Sequence, residues 1–395
     1  MQFVSDALND LRSKGVAPKL RVLQGEQKTH ADFDGKEVIN LASNNYLGLT
    51  THKALKKAAI EAVRKYGAGA GAVRTIAGTM KLHMDLEEQI AKFKNVEACV
   101  VFQSGFTANA GTVSAILGKE DFIVSDELNH ASIIDGARLS RAKIKVFRHK
   151  DAAHAEELLH EIKDEPGHKL LITDGVFSMD GDIGPLPALC DAAEKYGAIM
   201  MVDDAHASGV LGRNGRGTVD YFHCHGRVDI QVGTLSKAIG AIGGYVCGSK
   251  DLIDFLYHRA RPFLFSTSHP PSVTATCIAA FDLLESEPER IERLWDNTRY
   301  FKTELGRLGF NIGGINTPAS ETPITPIIIG DGRLTMDFSR ALFDAGVLGT
   351  GIAYPTVAEG KARIRTIMTS EHTREQLDQS LEILEKTARK LGILG

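Results

Sequence analysis

The sequence has little that would indicate a secreted, membrane or nucleic-acid-binding protein. Its five cysteines are scattered and none stands in CxxC spacing, which favours reduced thiols over a disulfide framework. The N-terminal residues lack the apolar core of a secretory signal, and no apolar run is long enough to cross a bilayer. A formal net charge of -4 lacks the basic excess that nucleic-acid proteins carry. We therefore expect a cytoplasmic protein with neither nucleic-acid nor membrane partners.

The pattern that is present predicts more than one domain. A length of 395 residues exceeds the usual size of a single hydrophobic core. Short apolar runs alternate with segments of helical periodicity between residues 97 and 250, which is typical of an α/β domain whose mostly parallel sheet is covered on both faces. The runs are 98–102, 122–124, 144–147, 170–172, 199–202, 230–232 and 245–246.

After about residue 285 the pattern changes to that of a smaller α+β domain. It begins with a predicted helix at 290–308 and ends with a long predicted helix. We therefore predict an N-terminal arm at 1–45, a large domain at 46–285 and a small C-terminal domain at 286–395.

A lysine follows one of the apolar runs in the segment Gly233-Thr234-Leu235-Ser236-Lys237. A position at the end of a buried strand can desolvate an amine and make it nucleophilic, as attachment of a carbonyl cofactor requires. The hydroxyl of Thr234 is a donor suited to a phosphate. Taken alone, the motif fits a structural lysine equally well.

Two adjacent acids, Asp203 and Asp204, end the run 199–202, and His206 follows them. Buried carboxylates are costly unless cationic partners meet them. The nitrogen of a pyridinium ring is such a partner, because a carboxylate keeps it protonated and preserves the ring as an electron sink. His206 is then placed to hydrogen-bond a phenolic oxygen. A metal site is the alternative, although no third ligand stands at a convincing spacing, so we predict no metal.

A glycine-containing turn at Gly105 and Phe106 follows the run 98–102. A strand, a turn and then a helix present backbone N–H groups to an anion. Neither this segment nor 67–71 is a G-x-G-x-x-G motif that follows a strand, which disfavours an NAD enzyme. The turn, the acid and the lysine all follow strands, and the carboxyl ends of parallel strands meet at one edge of a sheet. Together they predict a site for pyridoxal 5'-phosphate (PLP).

The sequence also resembles a known family over almost its full length. It is similar to the α-oxoamine synthases, which are fold-type I PLP-dependent transferases, in the blocks SNNYLGL (43–49), GAGAVRTIAGT (69–79), SDELNHASIIDG (125–136), TDGVFSMDGDIGPL (173–186), VDDAHASGVLG (202–212), GTLSKAIG (233–240), RPFLFSTSHPP (261–271) and GKARIRT (360–366). The resemblance implies a large, mostly parallel-sheet domain with a smaller C-terminal α+β domain. It also implies a homodimer with shared active sites, and condensation of a small amino acid with an acyl-CoA with release of CoA.

The resemblance further implies roles around the cofactor. Lys237 would hold PLP as a Schiff base and later remove the α-proton. The other predicted cofactor contacts are Asp203 at the pyridine nitrogen, His206 at the phenolic oxygen with Ser178 nearby, His130 stacked on the ring, Gly105, Phe106 and Thr234 at the phosphate, and Ser266 and Thr267 of the partner subunit completing the phosphate site. Lys237, His130, Asp203 and His206 are the predicted catalytic residues.

On the substrate side, the resemblance implies that Arg365 binds the amino-acid carboxylate, a bidentate task suited to a guanidinium. Asn44 would lie beside that carboxylate, His130 and Thr356 near the acyl substrate, and Arg21 on the acyl side. A surface arginine is the alternative for Arg365.

The blocks NHASIIDG and TDGVFSMDG, and the absence of an Arg-Pro-Pro sequence at 353–355, favour the family member that joins glycine to acetyl-CoA and forms 2-amino-3-ketobutyrate. The alternative is the biotin-pathway member that joins alanine to pimeloyl-CoA with loss of CO2, since Pro355-Thr356-Val357 and STSHPP resemble it. An enzyme with both activities is a further alternative. An aminotransferase and a non-catalytic partner subunit of the same fold remain as further alternatives.

Overall fold

The computed structural model describes residues 1–13, 19–314 and 319–395. The chain forms two compact units. We call residues 52–177 and 183–291 the sheet unit, and residues 1–51, 178–182 and 292–395 the terminal unit. The predicted division at residues 45 and 285 stays a prediction, and the terminal unit takes in the first 51 residues together with the C-terminal part of the chain.

The helices and strands are numbered along the described chain. The helices are α1 Gln2–Ser13, α2 Lys53–Tyr66, α3 Lys81–Lys94, α4 Gly105–Ile116, α5 Ala131–Ser140, α6 Ala152–Glu161, α7 Leu186–Tyr196, α8 Thr218–Tyr221, α9 Lys250–Arg259, α10 Arg261–Leu264, α11 Pro271–Ser286, α12 Glu289–Arg307, α13 Gly332–Ala345 and α14 Arg374–Lys390. The strands are β1 His30–Phe33, β2 Lys36–Asn40, β3 Ala98–Phe102, β4 Phe122–Asp126, β5 Lys143–Phe147, β6 Lys169–Asp174, β7 Ile199–Asp203, β8 Ile230–Thr234, β9 Gly244–Gly248, β10 Ile324–Gly330, β11 Val347–Leu348, β12 Thr350–Ile352 and β13 Ala362–Ile367. None of these helices carries an apolar stretch long enough to span a lipid bilayer.

The sheet unit is built on a seven-stranded sheet in the order β3-β9-β8-β7-β6-β4-β5. All seven strands coincide with the predicted apolar runs, and the predicted α/β fold with a mostly parallel sheet is confirmed. The exception to the parallel pattern is β9, which is antiparallel to β3 and β8. Residues 235–243 contain no crossover helix that could return the chain to the same edge, so β9 runs back beside β8.

Side chains of the central strands alternate between two hydrophobic cores, one on each face of the sheet. On β7, Met200 and Val202 pack in one core and Met201 in the other, which also contains Ala108 and Val113 of α4. Because successive strand residues point to opposite faces, the next residue on the Met201 face is Asp203. The sheet thus directs the first of the two adjacent acids toward α4.

The terminal unit contains two small sheets, β1-β2-β11 and β10-β13-β12. In the second sheet Arg365 of β13 is paired with Pro326 of β10 and Thr350 of β12. The predicted helix at 290–308 and the predicted final helix are confirmed as α12 and α14. A capping box in which Thr373 and Gln376 exchange hydrogen bonds fixes the start of α14.

Candidate cofactor and substrate sites

The predicted anion-binding turn lies at the start of α4. Ser104 caps the helix by accepting a hydrogen bond from the Thr107 N–H at 3.1 Å, and the Thr107 hydroxyl oxygen accepts from the Ser104 N–H at 3.0 Å. The N–H groups of Gly105 and Phe106 donate to no acceptor in the described parts of the chain, as expected for the first turn of a helix. These two groups can therefore bind an anion.

Thr234, at the end of β8, lies directly beside this turn. A methyl group added to Gly105 would stand 3.5 Å from Thr234 Cβ and 3.6 Å from its hydroxyl oxygen. The Thr234 hydroxyl lies 2.8 Å from that of Ser236 and donates to the Gly243 carbonyl at 2.9 Å. Lys237 follows, half-buried, three residues after Thr234. The lysine thus follows, by three residues, a threonine that lies beside the free N–H groups of the α4 turn.

The two adjacent acids have different surroundings. Asp204 is completely buried and forms an ion pair with the equally buried Lys94 at 2.8 Å, while the Thr218 N–H and hydroxyl donate to the same carboxylate. Asp203 is 5% exposed and accepts hydrogen bonds from Asn109 Nδ2 at 2.6 Å and from the Ala205 N–H at 2.8 Å. It forms no ion pair with any lysine or arginine that the structure describes. A buried carboxylate without a cation fits a site that receives a pyridinium nitrogen.

A hydrogen-bonded chain links Asp203 to His130. Asn109 Nδ2 also donates to the Ser132 hydroxyl at 2.9 Å, and that hydroxyl lies 2.7 Å from His130 Nδ1. The Ser132 backbone N–H donates to the same nitrogen at 3.2 Å. Sequence reasoning missed Asn109 and Ser132. The available signal was a polar residue one helical turn after Gly105, and a hydroxyl two residues after His130.

The electrostatic surroundings of His130 keep its imidazole neutral. Burial lowers the pKa of His130, the charge of Asp203 opposes that shift, and the charge of Lys237 adds to it. The His130 backbone N–H donates to Asp174 at 3.1 Å. Burial and the charge of Asp203 raise the pKa of Asp174 well above its usual range. Asp203 and Lys237 thus both act on His130 and on Asp174 within the sheet unit.

Three other predicted cofactor residues have fewer contacts that bear on their role. His206 is buried just after β7. Ser266 and Thr267 follow α10, and the Thr267 carbonyl accepts a hydrogen bond from Gln103 at 2.9 Å. Phe265, next to them, is 70% exposed. That Ser266 and Thr267 of the partner subunit complete the phosphate site stays a prediction.

In the terminal unit, Arg365 lies with Ser178 and Asn44. Its Nε donates to the Ser178 carbonyl at 2.6 Å and its Nη2 to Asn44 Oδ1 at 3.3 Å. The residue is only 9% exposed, and burial lowers its pKa against a smaller opposing effect of Tyr46. Within the described residues it forms no ion pair with a carboxylate. Arg365 is therefore not a surface arginine but a buried cation that lacks an anion.

The neighbouring Arg363 shows the opposite arrangement on the same strand. It is 2% exposed, forms an ion pair with the buried Asp180 at 2.5 Å, and donates to the Met179 carbonyl at 3.1 Å. The protein itself therefore supplies the anion that pairs with the Arg363 guanidinium. Arg363 has the environment of a structural residue, and Arg365 that of a ligand-binding one.

The two remaining substrate predictions fall on exposed or already paired residues. Arg21 pairs with Asp34 at 3.2 Å and its guanidinium lies over the Phe343 ring at 3.3 Å from the centroid. These contacts give it a structural role in the terminal unit. Thr356 is exposed in the connection between β12 and β13, where its N–H donates to the Ala353 carbonyl at 3.0 Å. Their acyl-side roles stay predictions.

Comparison with known proteins places this arrangement in a family. Residues 36–384 match the sequence model of the family described as aminotransferase class I and II. The curated 8-amino-7-oxononanoate synthase of Symbiobacterium thermophilum is 55% identical over 392 residues, covering 99% of either chain. 8-amino-7-oxononanoate synthase 1 of Bacillus subtilis is 54% identical over 393 residues, covering 100% of this chain and 99% of that protein. A solved structure of SPT with PLP has a TM-score of 0.93 at 32% identity, covering 100% of this chain and 98% of that one.

The chain belongs to the α-oxoamine synthase family. As an α-oxoamine synthase it has the fold-type I α/β fold, uses PLP and is a PLP-dependent acyltransferase, as the sequence blocks predicted. The structure also fits the cofactor on its own terms. The free N–H groups of the α4 turn and the unpaired carboxylate of Asp203 are the two features that a phosphate and a pyridinium require.

The finer prediction, that this α-oxoamine synthase is most similar to the glycine and acetyl-CoA member, is not supported. Both curated relatives above are named 8-amino-7-oxononanoate synthase, which is the biotin-pathway member that was the alternative to it. The prediction gave weight to the missing Arg-Pro-Pro at 353–355, where Tyr354 is 62% exposed in a connection between strands. Such connections vary among related proteins without a change in chemistry.

Proposed function

We propose that the protein is an 8-amino-7-oxononanoate synthase, which joins alanine to pimeloyl-CoA and releases CoA and CO2. The observation that carries this proposal is an identity of 55% along 99% of the chain to a curated enzyme of that name. The new bond joins the alanine Cα to the carbonyl carbon of the pimeloyl group, CoA leaves as the thiol, and the alanine carboxylate leaves as CO2.

In this proposal the sheet unit holds the cofactor. The N–H groups of Gly105 and Phe106 bind the phosphate, joined by the Thr234 hydroxyl once its proton turns away from the Gly243 carbonyl, and Asp203 holds a proton at the pyridine nitrogen. Bound PLP supplies an electron sink for the negative charge that develops at the alanine Cα. Lys237 is the attachment point and the base that removes the α-proton. His130 covers the ring face, and His206 binds its phenolic oxygen.

The terminal unit supplies recognition of the amino acid. Two of the N–H groups of Arg365 are used by Ser178 and Asn44, and a guanidinium carries five. The remaining donors can bind the alanine carboxylate in bidentate fashion, which would give the buried cation its missing anion. We further propose that the enzyme acts as a homodimer, with Ser266 and Thr267 of the partner subunit completing the phosphate site.

The experiment that tests the proposal measures thiol release with Ellman's reagent from PLP-loaded protein. We expect release from pimeloyl-CoA with alanine, a product of the mass of 8-amino-7-oxononanoate, and at least tenfold lower kcat/KM for acetyl-CoA with glycine. Lys237→Ala is the matched control and is expected to release no thiol. Turnover of glycine with acetyl-CoA and none of alanine with pimeloyl-CoA would refute the proposed substrates. Pyridoxamine phosphate formed with alanine alone would indicate an aminotransferase.

A further inference from the structure

Asn109 connects the carboxylate of Asp203 to the residues around His130. It is completely buried on α4, one helical turn after Gly105. An ionised carboxylate can only accept hydrogen bonds, so the atom 2.6 Å from Asp203 Oδ2 must be the amide nitrogen of Asn109. The second N–H of the same nitrogen points to the Ser132 hydroxyl at 2.9 Å. One amide group thus donates to both residues.

The directions of the remaining hydrogen bonds follow from this. A backbone N–H can only donate, and that of Ser132 is directed at His130 Nδ1. Nδ1 is therefore an acceptor, and a neutral imidazole then carries its proton on Nε2. The Ser132 hydroxyl accepts from Asn109, which leaves its own proton for the same Nδ1 at 2.7 Å. Asn109 thus donates in both directions, to Asp203 and to Ser132, and Ser132 passes the donation on to His130.

We propose that Asn109 and Ser132 are positioning residues that couple the Asp203 carboxylate to the His130 imidazole. Asn109 fixes the carboxylate that receives the pyridine nitrogen. Ser132 fixes the tautomer and orientation of the histidine that covers the ring. The inference deepens the proposed function and rests on its assignment of Asp203 and His130 to the cofactor. Neither residue touches the cofactor or the reacting atoms in this scheme.

The charged groups that face His130 belong to three different elements. They are Asp203 at the end of β7, Asp174 at the end of β6 and Lys237 after β8. Asp203 and Lys237 act on the imidazole in opposite directions, and the Ser132 hydroxyl donor at Nδ1 adds to the stabilisation of the neutral form. Loss of that donor removes stabilisation from the neutral imidazole and makes it easier to protonate.

The test compares Asn109→Leu and Ser132→Ala with the control Thr112→Val. Thr112 lies on the same helix as Asn109, is completely buried, and its hydroxyl has no hydrogen-bond partner in the described structure. The control therefore removes a buried polar group of α4 without touching the chain from Asp203 to His130. Urea unfolding and circular dichroism first establish that each variant folds; Ser132→Ala, the smaller change, serves if Asn109→Leu does not.

Two measurements follow, one on the loaded protein and one on the apoprotein. Asn109→Leu is expected to weaken PLP binding at least about tenfold, the loss typical of a hydrogen bond to a charged group. In 15N spectra of histidine-labelled apoprotein, His130 is expected to show a bare Nδ1 and a protonated Nε2 in the wild type. Its titration midpoint should rise by about half a pH unit or more in Ser132→Ala and Asn109→Leu. Thr112→Val should match the wild type in both measurements.

Equal PLP affinity and equal His130 midpoints in all three variants would overturn the inference. A loss of PLP affinity in Asn109→Leu alone, with unchanged His130 midpoints, would overturn the coupling to the imidazole. The 15N measurement needs no substrate and no cofactor. If the wild type does not turn over alanine and pimeloyl-CoA while the His130 midpoints move as expected, the proposed function fails and the coupling stands.

Discussion

Replacing Arg365 and Arg363 separately by methionine should separate ligand binding from stability on a single strand. Methionine keeps much of the apolar length of the side chain and removes the guanidinium. Arg363→Met leaves the buried Asp180 carboxylate without its cation. Breaking a buried ion pair in this way costs about 3–5 kcal/mol of unfolding free energy. We expect that loss in Arg363→Met, with alanine affinity retained in the protein that remains folded.

Arg365→Met should show the reverse. The variant loses hydrogen bonds from a charged guanidinium to Ser178 and Asn44, each worth about 1.5 kcal/mol or more, but it also removes a buried cation with no anionic partner, whose desolvation costs several kcal/mol. These effects oppose each other, so the unfolding free energy of the apoprotein should change by less than about 1 kcal/mol. Two charge-assisted hydrogen bonds to the alanine carboxylate amount to about 3 kcal/mol. That is roughly a hundredfold loss of alanine affinity.

The assay follows the visible band of bound PLP as alanine is added, together with urea unfolding of each apoprotein. Arg365→Lys is a useful third variant, because it retains the charge but not the planar fork, and should recover only part of the affinity. Alanine affinity in Arg365→Met within threefold of the wild type would refute the assignment of Arg365. So would a stability loss in Arg365→Met as large as that in Arg363→Met, because the buried cation would then have a structural partner.

Two further predictions concern the cofactor turn and the response to acid. Gly105→Ala places a methyl group in ordinary contact with Thr234, at 3.5 Å, so the stability of the apoprotein should not change. PLP affinity, measured by equilibrium dialysis, should fall at least about tenfold. An unchanged affinity would exclude the α4 turn as the phosphate site. Burial lowers the pKa of His372 from 6.5 to about 4, so below pH 6.5 the unfolded chain binds a proton that the native protein does not, and stability falls. His372→Gln should remove about 2 kcal/mol of the loss in unfolding free energy between about pH 6.5 and pH 5; parallel stability curves for variant and wild type would contradict this.

Much of the fold could be predicted from the sequence because the signal is local. Each central strand is a run of apolar residues bounded by turns, and burial on both sheet faces requires that pattern. The direction of β9 was harder to predict, since a short apolar run such as 245–246 reads the same in either direction. Its antiparallel course depends on the absence of a helix between residues 235 and 243.

The candidate site was predictable where a residue type is unusual for its position, and not where the function depends on partners distant in sequence. Two adjacent acids after a buried strand already indicated that at least one cation was needed. Nothing in the sequence said that Lys94 would meet Asp204 and not Asp203. Asn109 and Ser132 were missed for the same reason, because each is 71 or more residues from Asp203 along the chain and acquires its role only because α4 and α5 pack in the same hydrophobic core as Met201 of β7.

Buried charge distinguishes the functional from the structural residues in both units. Asp204 and Arg363 are paired with Lys94 and Asp180, and each pair is neutral overall. Asp203 and Arg365 stand one and two residues away along the chain and have no such partner in the described structure. Folding alone would select against an unpaired buried charge, because its desolvation is not offset. The retained charges are therefore explained if a pyridinium meets Asp203 in the sheet unit and a carboxylate meets Arg365 in the terminal unit.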